Sequence, residues 1–572
     1  MKLNTKMIFL SITLIASSLF GNCDVKYEHN IVHYADEHNP LNHLITLNYE
    51  KMTLLDLKYI EGKTNHHADP MGALNGTNYV MLVPKGSYFV HFYDVKNGEF
   101  VKKIRLPFKP RSGDAYNEKY NLVFLNARNR PAGVLIDTKK LKIVGKVGFD
   151  ITCNTEKPLP KELCMVYNFT EILDKSYQCL PVDFGGDQIS GHPIWLNSKT
   201  LALIDRANRM LHIYKIKPNR NGGFDTKKIQ TIKTKTSLHQ LIPHSKDKDN
   251  KIFYGMTEGN GAKSLIAGVY KFTLKRNNRL KKAAFTKLKY EINYGTNGHN
   301  LYITPDKNYL YAPAGAVLQE DIITTYAKET TAQKHNRLES NYKKYVKMFL
   351  RENIEQDDID NYKKVQELFK KFSDIDCYTP HNVPTKGQYI AQNIHKKKLN
   401  LLSRGAVYVI DTKTMKVVKS IRAGRGAGHV AFSKDKTLAV VTNHLDDYLT
   451  VINYKTHKFV KNVALNFEHQ NIFNLSQSHM QHIGVDGEYY YNFWSDGGVF
   501  FRVDLDTLTV DKDVYVGGIP IQGNFYEDVN TSCDVPSVSL EDGFDKYFGE
   551  DNKMELFDNK IKDSSHIFPK FF

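Results

Sequence analysis

The sequence predicts an all-β protein: a β-propeller of seven blades, with six to eight admitted by the spacing, interrupted by one helical segment. Three observations carry this. Short runs rich in Tyr, Phe, Val, Ile and Thr alternate with Gly, Pro, Asn and Asp turns over most of the 572 residues. A unit of strand, turn, strand ending in an aspartate, turn, strand recurs about seven times, as in Val134-Leu135-Ile136-Asp137, Val407-Tyr408-Val409-Ile410-Asp411 and Phe500-Phe501-Arg502-Val503-Asp504. Radial repetition of four-stranded units is the signature of a propeller, whereas a sandwich has fewer strands and a solenoid a shorter, stricter period. Finally, a histidine stands at the same place in several of these units.

Taken in order, the chain opens with Lys2 and Lys6, an apolar run from Met7 to Phe20, and the small residues Ala16, Ser17, Ser18 and Gly21. This reads as a secretory signal peptide over 1–22, so the mature chain is expected in the periplasm or outside the cell. Cys23 stands where a lipid-modified cysteine would, which leaves a lipid anchor open. The propeller is expected over 23–535. The first regular meander runs through Tyr79–Val83, Tyr88–Tyr93 and Phe100–Leu106, and the pattern returns until Val516. From Gln319 to Phe372 it breaks: Pro and Gly are absent, and Tyr342, Tyr345, Val346, Phe349 and Leu350 fit helical spacing, as do Val365, Leu368, Phe369 and Phe372. Two inserted helices within 319–375 are expected, as a lid, a docking surface or a decoration. Residues 536–572 form a C-terminal extension.

Composition narrows the function classes. The net charge is +17, but the lysines are spread along turns and the helical segment, and no arginine-rich run or nucleic-acid module is visible. No nucleic-acid partner is expected, and the charge favours an anionic substrate or an acidic carrier. Of the six cysteines, Cys153, Cys164 and Cys179 share one irregular stretch, where export permits a local bridge. No Cys-x-x-Cys-His motif occurs, which excludes covalent c-type haem on pattern.

The histidines carry the chemistry. GTNGHNLYITPDKNYLYAPAG around His299 and GRGAGHVAFSKDKTLAVVTNHLD around His429 share one order: Gly turn, His, strand, turn, strand. The pattern recurs more loosely at His192 in SGHPIW and His482 in SHMQHIGVDG, and His66-His67 precede the first blade in NHHADPMGALNGTNYV. In a propeller the first strand of each blade lines the central channel, so side chains far apart in sequence point to one axis. Imidazoles gathered there repel if protonated and need partners if neutral and buried, and an ion resolves both. Imidazole suits copper, zinc, iron and nickel. The candidate metal ligands are therefore His66, His67, His192, His299, His429 and His482, with His239, His444 and His479 as spares. A lone histidine at such a place is more often structural, and repetition is what raises these. Glu258 in YGMTEGNG and Asp187 in FGGDQISGH sit in Gly-flanked loops as candidate bases or ligands, or simply as turn residues.

The same blocks resemble the propeller domain of nitrous oxide reductases. That resemblance implies a histidine-bound copper cluster in which His66 and His67 match an opening pair and His299, His429 and His482 match single ligands. The cupredoxin domain of that family has no counterpart here. A stand-alone exported propeller with a multi-copper histidine site is similar to thiocyanate dehydrogenase, whose family oxidises thiocyanate to cyanate and sulfur with oxygen drawn from water. The chain also resembles exported propellers with YVTN-type repeats. The resemblance thus implies a multinuclear copper oxidoreductase for a small nitrogen or sulfur substrate, with electrons leaving to a soluble carrier such as a periplasmic cytochrome. The competing expectations are a non-catalytic propeller that binds partners through one face, and a haem d1-type propeller.

Overall fold

The computed structural model describes residues 31–36, 43–59 and 69–70, most of 79–148, the strands at 164–168 and 177–181, most of 190–319, 404–467, residue 479 and most of 481–526. The signal peptide, residues 320–375 of the expected helical insertion and the C-terminal extension lie outside the described residues. Gln319, where the helical reading began, is the last residue of a strand.

The described residues form strands and no α-helix. β1 (Ile31–Asp36), β2 (His43–Asn48) and β3 (Thr53–Tyr59) are joined by β36 (Pro520–Tyr526) from the far end of the described chain, in the order β3-β2-β1-β36. The following meanders are β4–β7 (69–105), β8–β11 (115–147), β14–β17 (194–233), β18–β21 (238–287), β28–β31 (427–464) and β32–β35 (482–515). One larger sheet takes β22–β27 (289–422). Among the described residues, eight antiparallel sheets have four or more strands, where the sequence reading put seven first. A separate hairpin pairs β12 (Cys164–Asn168) with β13 (Tyr177–Pro181); its register sets Cys164 against Pro181 and Cys179 against Val166.

Each hydrophobic cluster joins one sheet to the next. Met81, Val90 and Phe92 pack with Val123, Leu125 and Val134. Ala202 and Ile213 meet Phe253 and Phe272, and Tyr311 and Val409 meet Val430 and Val441. The last sheet returns to the first, with Tyr491, Phe493 and Phe500 against Leu47 and Tyr49. The backbone closes at the same place, since β36 pairs with β1 from Ile31↔Tyr526 to Asp36↔Pro520. The sheets therefore form a closed propeller ring. Each fully buried large apolar side chain contributes roughly 1.5–3 kcal/mol by leaving water, which is why the faces between sheets are almost wholly apolar. The outermost strands carry the opposite pattern: β31 exposes Lys458, Phe459, Val460, Lys461 and Asn462 and buries Val463.

The recurring aspartate is explained by turn chemistry. Asp137 accepts the backbone N–H of Lys139 and Lys140, Asp411 those of Lys413 and Thr414, and Asp504 those of Asp506 and Thr507, at 2.7 to 3.0 Å. Each turn then closes on a left-handed residue, Leu141, Met415 or Leu508. The third strand of a sheet thus ends in an Asx turn, which pins its register to the fourth.

Candidate metal centre

The first strand of a sheet begins on one face of the ring, and the loops between second and third strands return to that face. His192 lies just before β14 and His239 is the second residue of β18. His299 sits between β23 (Asn293–Gly298) and β24 (Tyr302–Ile303), and His429 is the third residue of β28. His444 follows β29 (Leu438–Asn443), and His479 precedes β32. These six imidazoles come from five successive sheets.

They meet. His299, His429, His444 and His479 form a knot in which every pair of ring centroids is 4.6 to 6.1 Å apart. His239 joins it at 4.4 Å from His299, and His192 follows at 5.1 Å from His239. In His299, His429 and His444, one potential ligand atom of each lies within 4.8 Å of the others.

The Gly-His pairs explain how the backbone allows this. A Cβ on Gly298 would stand 2.5 Å from the Thr257 carbonyl, and one on Gly191 2.7 Å from the His239 carbonyl. A Cβ on Gly428 would stand 2.6 Å from Nε2 of His444. Glycine lets these segments pack against a neighbouring strand or ring, and the histidine that follows is carried to the axis. The loop before His429 is tied down as well. Gly424 N–H donates to the Asn443 carboxamide at 3.0 Å, and the Arg425 guanidinium reaches Asp446 at 2.6 Å.

The two ends of the array differ in what surrounds them. At one end, Nδ1 of His239 is 2.9 Å from a Glu258 carboxylate oxygen, which also takes an N–H of Arg206. The Arg111 guanidinium donates to the Ser190 carbonyl and comes within 3.4 Å of Nε2 of His192. Glu258, Arg206 and Arg111 are all buried. At the other end the partners are neutral: Nδ1 of His429 is 2.7 Å from the Tyr302 hydroxyl and 3.1 Å from the Asn300 amide nitrogen.

Burial pushes the imidazoles of His239, His299 and His429 well below the ordinary histidine value. Neighbouring imidazoles push His299 and His429 further down, while Glu258 pulls His239 partly back. All three are neutral near pH 7 and offer lone pairs. Nε2 of His239, Nδ1 of His299 and Nε2 of His429 are buried and meet no hydrogen-bond partner among the described residues. A buried polar atom left unmade costs about 1–3 kcal/mol, and a cation bound by these imidazoles would remove that cost. The residues present therefore suit a metal held by imidazole.

Of the residues singled out in the sequence, the structure brings together His192, His299 and His429. His66, His67 and Asp187 lie outside the described residues. His482 does not join the array: its ring stacks on Phe525 at 4.0 Å and 11°, with Tyr49 edge-on at 5.3 Å. Glu258 touches His239 and Arg206, the contacts of a group that orients an imidazole. The three spare histidines, His239, His444 and His479, all belong to the array. His239 carries the signal of position alone, since Lys235-Thr236-Ser237 before its strand holds no glycine. His444 is visible only as the end of a second strand in VVTNHLD. Arg111, Arg206, Asn300 and Tyr302 have no sequence signal.

No protein-family model matches the chain, and no curated protein matches its sequence, so the likeness to nitrous oxide reductases stays a resemblance. Among solved structures the chain is similar to the dihydro-heme d1 dehydrogenase NirN, with 11% identity over 88% of this chain and 76% of that one and a TM-score of 0.49. It is also similar to apo AztD from Citrobacter koseri, at 9% identity over 88% and 99% with a TM-score of 0.43. Hydrazine synthase from Kuenenia stuttgartiensis follows at 8% identity over 80% and 99%, with a TM-score of 0.38.

Proposed function

We propose that the protein is an exported copper-dependent oxidoreductase that acts on a small anionic nitrogen or sulfur substrate at the histidine array. The observation that carries this reading is that one potential ligand atom each of His299, His429 and His444 lies within 4.8 Å of the others, in a knot of closely packed imidazoles. An all-imidazole donor set suits a borderline transition metal, and the resemblance of the Gly-His blocks to copper propellers supports copper among these.

His299, His429 and His444 would hold the ion, with His479 beside them and His239 able to reach from the next sheet. Copper bound there would supply a one-electron couple and make a bound water more acidic. The chain's own residues do the rest. Glu258 accepts the Nδ1 proton of His239 and so turns Nε2 toward the array with its lone pair free. Arg206 forms a direct ion pair with Glu258. Arg111 approaches Nε2 of His192 at 3.4 Å, at the cationic end of the array. Arg111 and Arg206 there favour an anion over a neutral or cationic substrate. A soluble periplasmic carrier would accept the electrons.

The test is copper loading of the purified chain, removal of free metal, and elemental analysis with a visible spectrum. Tight copper in the wild type and its loss in both His299→Ala and His429→Ala are expected. Unchanged copper in both variants overturns the reading.

A further inference from the structure

The lysines, read in the sequence as spread along turns, are gathered by the fold onto its outer edges. In six successive sheets the outermost strand is β7 (Phe100–Arg105), β11 (Lys142–Val147), β17 (Phe224–Lys233), β21 (Leu280–Lys287), β27 (Val417–Arg422) and β31 (Lys458–Ala464). In that order they hold three, two, three, three, two and two Lys or Arg, fifteen in all, and one acidic residue, Asp225. None of the fifteen is buried. Taking these from the 79 Lys and Arg and the 62 Asp and Glu of the chain leaves 64 against 61. The six edges thus carry most of the net charge of +17.

The edges run on from sheet to sheet. The Thr226 hydroxyl of β17 donates to the Lys146 carbonyl of β11 at 2.7 Å. The Gln230 carboxamide donates to the Leu280 carbonyl of β21 at 2.8 Å, and the Lys282 ammonium to the Lys233 carbonyl at 3.1 Å. The Thr286 hydroxyl of β21 reaches the Met415 carbonyl in the turn before β27. The result is a cationic arc along the rim of the ring.

Charge on an outer edge discourages edge-to-edge pairing, and lysine is a common choice for it. That device works one edge at a time and does not need a single sign. β35 (Thr509–Tyr515), outermost in the next sheet, carries Asp511, Lys512 and Asp513. One sign over six edges repels itself and suits an anionic partner. A convex rim meets a flat membrane along one or two edges, so a partner that uses the whole arc must bend around it. Thirteen of the fifteen are lysines, point charges rather than the planar forks that pair with phosphate. The exposed rings on these strands are Phe100 and Phe459, too few to stack the bases of a single-stranded nucleic acid along the arc.

We propose that this arc is a binding surface for a flexible acidic polysaccharide, held through its carboxylates by charge. The choice of a polysaccharide among polyanions rests in part on the exported location proposed above; the arc does not.

The test is fluorescence anisotropy of labelled polygalacturonate titrated with the purified chain, with neutral dextran as the control. Polygalacturonate should bind and dextran should not, and affinity should fall by roughly tenfold or more between about 50 and about 300 mM salt. Lys281→Glu, Lys282→Glu and Lys287→Glu combined should weaken binding by roughly tenfold. The same charge change at Lys199, Lys307 and Lys434, exposed in turns between first and second strands, should weaken it by less than about threefold. Lys458→Glu with Lys461→Glu, at the far end of the arc, should also weaken binding and serves if the triple variant does not fold. Absence of polygalacturonate binding, equal losses at the arc and at the turns, or tighter binding of oligodeoxythymidylate or of phosphatidylglycerol vesicles overturns the proposal. Copper content should stay unchanged in every variant, so this reading and that of the metal centre fail independently.

Discussion

His429 and His482 both belong to first strands, β28 and β32, but His482 lies two residues farther along: His429 pairs with Thr442, the fifth residue of β29, and His482 with Tyr491, the third residue of the second strand of its sheet, and the fold gives them opposite surroundings. Around His429 are other imidazoles: His299 at 5.2 Å, His444 at 5.1 Å and His479 at 5.3 Å. Around His482 are Phe525, Tyr49 and Tyr491. Phe525 lies on the strand that closes the ring, so His482 packs the seam between the last sheet and the first. A shift of two residues along the first strand thus separates a histidine of the imidazole knot from one packed among aromatic rings. What a side chain does is set by the sheet beside it.

The sharpest way to break this comparison is to remove each ring. His429→Ala should lower copper affinity by more than about 100-fold, beyond the cost of losing an outer partner. His482→Ala should leave the copper content unchanged while lowering unfolding free energy by roughly 2–4 kcal/mol through lost packing. Copper titration and denaturant unfolding of both variants measure this, and copper loss in His482→Ala would erase the distinction.

Acid sharpens it next. Burial pushes His482 down to about 4, below the ordinary 6.5 of the unfolded chain. Between these values the unfolded chain binds a proton that the folded one does not, so stability is whole above about 6.5 and falls as pH drops toward 4. The loss from this ring is on the order of 3 kcal/mol. His482→Phe keeps the stack and should remove that part of the acid sensitivity, read from unfolding curves at pH 7 and pH 4.5. An unchanged pH dependence would mean that the ring is protonated in place.

The smallest effect concerns Gly428. Its substitution by alanine presses on Nε2 of His444, the movable end of a side chain rather than backbone. Copper affinity should fall about tenfold, as for other disturbances around a ligand, with stability changed by less than about 1 kcal/mol. A large loss of stability with intact copper binding would show that the glycine serves the strand instead.

Much of the fold was legible. Continuous apolar and β-branched runs in Tyr79–Val83 or Leu438–Asn443 mark strands, and Asp137, Asp411 and Asp504 mark the turns that follow their strands, because each is dictated by residues within a few positions. The site was legible in part. Gly298-His299 and Gly428-His429 stood out since close packing demands the glycine next to the ring. His239 and His444 did not, because what carries them to the array is a neighbouring sheet rather than a local motif.

The amino-acid order alone determined which segments are strands, where they turn and that they repeat as sheets of a ring, since strand-forming runs and turn chemistry are local. Only the closed ring decided which histidines lie together, that a carboxylate meets Nδ1 of one and a phenol Nδ1 of another, and that His482 belongs to the seam. Those outcomes depend on distances between sheets up to hundreds of residues apart, which no window of sequence contains.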